Sequence, residues 1–164
     1  MGRGSSKIGG GSGSAGGGVI AKSDYQFSQA ESDVIDALGI RKDVDNIVKN
    51  VDNADSVLLP ASNFAPNVQD YDIQTDYGTG TYWKNPGENF YRVNDPADNN
   101  MQTQVQTQAQ AVTLIKNGLI QNAVNNKIES IIYTGTSYGI GNPEYTATGL
   151  QFADILKKAG FNGV

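Results

Sequence analysis

The 164-residue chain contains no cysteine and no histidine. The first absence removes disulfides, thiolate nucleophiles and cysteine-ligated zinc. The second removes imidazole metal ligands and the usual neutral-pH proton shuttle, and the two together exclude Ser-His-Asp and Cys-His catalysis. Any catalysis would fall to carboxylates, arginine, lysine, tyrosine or hydroxyl groups. No stretch approaches the run of about 18 apolar residues needed to span a bilayer, and the N-terminus lacks the apolar core of a secretory signal. The expectation is a soluble chain that neither crosses a membrane nor leaves the cell by that route.

What charge there is lies unevenly. Residues 1–22 carry only Arg3, Lys7 and Lys22, whereas residues 23–76 set eleven acids against Arg41, Lys42 and Lys49, a balance of -8. The remaining residues, 77–164, balance six acids with six bases. A segment this acidic repels phosphate backbones, so direct nucleic-acid binding is not expected, while a basic protein surface would be attracted.

The opening MGRGSSKIGGGSGSAGGG fits the pattern M-G-x-x-x-[ST] through Met1, Gly2 and Ser6, but charged Arg3 beside the acceptor glycine is unfavourable and one acyl chain anchors only marginally. Seven glycines between Gly9 and Gly18 describe a flexible tether instead, with no side chains to bury. The domain reading is therefore an arm over residues 1–22, disordered or ordered by a partner, followed by a single α+β domain over residues 23–164. Such an arm also offers a route to homo-oligomers.

Within the domain, Ser28-Gln29-Ala30-Glu31 is a capping box opening a helix with Ala30, Val34, Ile35 and Leu38 on one face, stopped by Gly39. Ile40, Val44, Ile47, Val48 and Val51 predict a second short helix capped by Asp43, and Val57-Leu58-Leu59 a short buried strand or extended segment. Tyr71, Ile73, Thr75 and Tyr77 alternate as a half-buried strand, with a break at Gly78-Thr79-Gly80. Thr81–Lys84 and Asn89–Val93 flank Asn85-Pro86-Gly87-Glu88, a type II turn signal. Tyr82 and Trp83 lie in this hairpin, on either its core face or a contact surface.

Asp95-Pro96-Ala97-Asp98 reads as the start of a long helix to about Asn125, carrying the apolar stripe Met101, Val105, Ala109, Val112, Leu119, Ile120, Ala123 and Val124 against a face of glutamines and threonines. Ser130–Tyr133 reads as a strand leading into the loop Thr134–Gly141, and Thr148–Ala159 as the last helix. The predicted fold is thus α+β, a small antiparallel sheet with about four helices. The Gly-rich loop lacks the G-K-[ST] ending of a phosphate loop. Asp43/Asp45 and Asp70/Asp72/Asp76 form D-x-D pairs, but Thr75 and Thr81 occupy the EF-hand positions that require Gly and Glu. No metal or cofactor is implied.

Phe90-Tyr91-Arg92, followed about forty residues later by Tyr133-Thr134-Gly135-Thr136-Ser137, resembles the strand arginine and hydroxyl motif of arginine-type ADP-ribosyltransferases. The resemblance implies a dinucleotide supported by Arg92; the E-x-E pair of that family is missing, and Glu144 stands alone. The start Met1-Gly2-Arg3-Gly4-Ser5-Ser6 resembles the openings of small accessory and head-associated proteins of temperate phages and mobile elements of Gram-positive bacteria. That resemblance implies a compact non-catalytic protein, in the host cytoplasm or the virion, that acts by binding. Together with the acidic segment, the expectation is a protein that occludes a basic surface of a host nucleic-acid-processing machine, as anti-CRISPR or other anti-defence inhibitors do. Its contact residues would be Asp43, Asp45, Asp52, Asp55, Asp70 and Asp72, with Trp83 and Tyr82. A virion structural protein using the arm for assembly is the alternative, and an ADP-ribosyltransferase-like enzyme stands third.

Overall fold

A computed structural model describes residues 21–139, with side chains through Ile131. The Gly-rich arm to Gly18, the part of the expected loop from Ile140 onward, Glu144 and the expected helix over Thr148–Ala159 lie outside the described residues. The described chain forms two compact units, one of residues 21–24 and 48–122 and the other of residues 25–47 and 123–139.

The first unit holds a five-stranded sheet: β1 (Ser56–Leu58), β2 (Gln69–Thr75), β3 (Gly78–Lys84), β4 (Tyr91–Asp95) and β5 (Met101–Val105). Spatial order follows chain order and every neighbouring pair is antiparallel, so the sheet is a meander. Strand alternation sends successive side chains to opposite faces. One face is the core: Tyr71 lies opposite Tyr82, Tyr82 opposite Val93, and Ile73 opposite Gly80, and all five are buried. The Tyr71 and Tyr82 rings stack with centroids 4.7 Å apart.

The expected hairpin is present. Gly87 takes φ +80, and the Glu88 N–H donates to the Asn85 carbonyl at 3.2 Å, as a type II turn requires. The Gly78-Thr79-Gly80 segment is not a break: Thr75 pairs with Gly78, and the reversal is the two residues Asp76 and Tyr77. Asn50 holds this turn, its Oδ1 accepting from the Asp76 N–H at 3.0 Å and its Nδ2 donating to Asp76 Oδ2 at 2.7 Å.

The long helix expected from Asp95 is corrected. Pro96–Asp98 forms only a 3-10 turn, Asn99 and Asn100 adopt positive φ, and Met101–Val105 is strand β5. Met-Gln-Thr-Gln-Val alternates with period two, and pairing with β4 outweighed the sparse helical stripe. Helix α3 (Gln108–Gly139) starts two residues after β5, on a capping box that the sequence also carries. Thr107 Oγ1 accepts from the Gln110 N–H at 3.1 Å, and Gln110 Oε1 accepts from the Thr107 N–H at 3.0 Å. In the first unit α3 covers the core face through buried Ala111, Val112, Ile115 and Leu119. A Cβ on Gly80 would overlap Ile115 Cγ2, so only glycine there lets the helix sit this close. The helix continues through Ser130–Tyr133, correcting the expected strand, and through Thr134–Gly139. The local β preference of Ile131, Ile132 and Tyr133 yields to propagation of an established helix.

The second unit contains α1 (Gln29–Ala37), the first residues of α2 (Arg41–Asp52) and the later part of α3. The Ser28/Glu31 capping box forms in both directions, and Gly39 follows at φ +71. Asp43 sits in the first turn of α2 instead of capping it, since helical bonding already begins with the Val44 N–H donating to the Ile40 carbonyl at 2.9 Å. Val34, Ile35, Ile40, Val44, Ile47, Val124 and Ile128 are its buried apolar residues. The described residues therefore form an α+β structure with three helices, not about four.

Candidate protein-interaction face

The sheet face opposite the Tyr71–Tyr82 stack carries Asp70, Asp72, Thr81, Trp83, Arg92, Asn94, Gln102 and Gln104, all exposed or half-buried. Register orders them. Asp70 lies opposite Trp83, Trp83 opposite Arg92 and Arg92 opposite Gln104, forming one row across four strands. A second row runs from Val57 through Asp72 to Thr81, whose Oγ1 accepts from Asn94 Nδ2 at 3.0 Å.

The charges on this face are not balanced. Arg92 is committed to Glu88, donating to its two carboxylate oxygens at 3.0 and 2.6 Å and lying over the Phe90 ring at 5.2 Å. The Arg92 hydrogen bonds hold the Glu88 carboxyl below its ordinary range, the sign of a satisfied pair. Among the described residues, the carboxylates of Asp70 and Asp72 have neither an ion-pair partner nor a hydrogen-bond donor. The face therefore presents two uncompensated negative charges, one of them directly beside an indole. An arginine can pair with a carboxylate and stack on an aromatic ring at once, which a phosphate cannot.

Of the residues singled out in the sequence, Asp70, Asp72 and Trp83 share this face. Tyr82 does not: it is fully buried, its hydroxyl bonded to Ser56 Oγ and accepting from Gln108 Nε2 at 2.9 Å, which removes it from the contact surface. Burial is also the main reason its phenol is pushed up to about 12. Asp52 serves the fold, since its carboxylate accepts from the Ser23 N–H at 2.8 Å and its carbonyl from Lys116 Nζ at 2.9 Å. Asp55 is exposed just before β1. Asp43 and Asp45 belong to the other unit, where Asp43 is paired with Lys127 at 3.6 Å and Asp45 is exposed.

Sequence reasoning missed Arg92–Glu88, Thr81, Asn94, Gln102 and Gln104 as members of this face. The period-two alternation of residues 101–105 was the available signal. It also overestimated the burial of Val57, Leu58 and Leu59: Val57 is 52% exposed, because β1 is an edge strand and its inward residue is Ser56.

The hydroxyl motif read as strand and loop, Tyr133–Ser137, lies within α3 instead. Among the described residues no group of three or more metal-ligating side chains comes together, and no helix is long and apolar enough to cross a membrane. Comparison with protein-family models, curated proteins and solved structures found no match.

Proposed function

We propose that the chain is a non-enzymatic binding protein whose open sheet face docks on a basic, arginine-bearing protein surface. The observation that carries this reading is the pair of unpartnered carboxylates, Asp70 and Asp72, set beside half-buried Trp83 on the face that α3 leaves free. A partner arginine stacked on Trp83 and paired with Asp70 would form the anchor, with Thr81, Asn94 and Gln104 as the polar surround. Basic surfaces of this kind line the nucleic-acid channels of nucleases, and occluding one makes an inhibitor of the anti-CRISPR or wider anti-defence type. The phage-like start of the chain supports that setting.

The test is a pull-down from the native host using the full chain and its Asp70→Asn/Asp72→Asn variant. Capture of a single basic nuclease by the full chain, lost in the variant and weakened by salt, is the expected result. Equal capture by both forms would overturn the proposal. Repeating the experiment without residues 1–18 separates the virion alternative, in which capture of capsid proteins or of the chain itself would depend on the arm.

A further inference from the structure

A second feature of the sheet unit points to a different ligand. Strand β5 is the outer strand, and among the described residues nothing pairs with its free edge. Met101 through Gln104 are exposed, and the strand carries no charge and no proline, the usual devices that keep an edge from accepting another strand. Between the end of β5, which contributes Gln104 and Val105, and the flank of α3 lies a groove of about 750 Å³, lined also by Asp24, Asp95, Ala109, Thr113 and Asn117. Two carboxylates line it and, among the described residues, no lysine or arginine does.

We infer that this edge and groove bind an extended basic peptide as a sixth strand. The free N–H and C=O groups of β5 pair with the peptide backbone, and α3 forms the wall against which alternate side chains lie, a recurring mode of strand addition. Five residues of β5 are matched by about five of peptide, a contact about 17 Å long. The groove selects lysine or arginine because Asp24 and Asp95 line it and, among the described residues, neither carboxylate is paired with a cation; Asp95 Oδ1 accepts only the neutral Ala97 N–H, at 2.9 Å. A second copy of this chain is disfavoured by the same charges, since pairing two β5 edges would bring four carboxylates together. Asp24 is held in place: its Oδ1 accepts from Asn117 Nδ2 at 2.7 Å and its N–H donates to Asn117 Oδ1 at 2.9 Å.

The experiment is fluorescence anisotropy of a labelled Thr-Lys-Val-Lys-Thr-Lys-Val peptide with the full chain, set against the same peptide with glutamate for lysine. Saturable binding of the lysine peptide alone is expected. Ala109→Trp, at an exposed helix position that leaves the fold intact by circular dichroism, should weaken it at least about tenfold by filling the groove. Asp24→Asn keeps the hydrogen bonds to Asn117 and should weaken it about threefold. Asp70→Asn/Asp72→Asn should leave this binding unchanged, which keeps it distinct from the open face. Equal binding of both peptides, absence of saturation, or full binding by Ala109→Trp would overturn the inference. So would a dimer in sedimentation equilibrium that Ala109→Trp dissociates, because the edge would then belong to a second copy.

Discussion

Replacing Gly80 with alanine tests how α3 is seated on the sheet, and hence which face of the sheet is left open. The added methyl would overlap Ile115 Cγ2 and come within 3.2 Å of Ile115 Cβ and 3.3 Å of Cγ1. Overpacking a buried site of this kind costs about 1–3 kcal/mol, while alanine in a strand interior recovers about 0.5–1 kcal/mol relative to glycine. A net loss of about 1–2 kcal/mol is expected, or about 2–8 °C in Tm for a chain of this size. Ile115→Ala alone, at a fully buried position, should cost about 3 kcal/mol. In the double variant the new methyl occupies space that Ile115 has vacated, so that variant's loss should fall short of the sum of the two single losses by at least about 1 kcal/mol. Urea unfolding followed by fluorescence of Trp83, the single tryptophan and a residue of the same unit, reads out the cycle. Losses that add to within about 0.5 kcal/mol would refute the close seating of α3 on Gly80.

Two other predictions follow from single side chains. Lys116 is 2% exposed, its Nζ donating to the carbonyls of Ala21 and Asp52, both at 2.9 Å, and burial lowers its ammonium from 10.5 to about 8. Between about pH 8 and 10 the unfolded chain then binds more protons than the folded one at this site, so stability should rise with pH across that window, by at most about 3 kcal/mol. Above about pH 10 the sign reverses, because Tyr82, raised to about 12, lets the unfolded chain lose its proton first. Denaturation midpoints measured from pH 7 to 11 should peak near pH 10, and Lys116→Met should flatten the rise; an unchanged profile in that variant would assign it to other groups. Ser28→Ala removes the side chain that accepts from the Glu31 N–H at 3.1 Å and should cost about 1 kcal/mol. Thermal melting checks this, and an unchanged Tm would show that the cap contributes nothing.

Local chemistry was legible in the sequence wherever a few neighbouring residues settle a conformation among themselves. The Ser28/Glu31 box opens α1, the Pro86-Gly87 pair turns the hairpin, and the alternation of Tyr71 and Ile73 marks β2 as a strand with one buried face. Residues 101–105 were not legible in this way. Their apolar positions fit a weak helical stripe and a period-two strand at once, and only pairing with β4 decided between them. The same holds for Ser130–Tyr133, where continuation of α3 overrode a local β preference.

The candidate site divides along the same line. The sequence established an acidic segment in a chain without histidine or cysteine and named Asp70, Asp72 and Trp83 among eight contact candidates. It could not tell that Tyr82, next to Trp83, faces the other way into the core, or that Asp52 is tied to Ser23 and Lys116. Adjacent strand residues always part to opposite faces, but which face is buried depends on where a helix about thirty residues away comes to rest. The sequence thus determined the chemistry available for recognition. The tertiary structure decided which of those charges remain unpaired and on one surface.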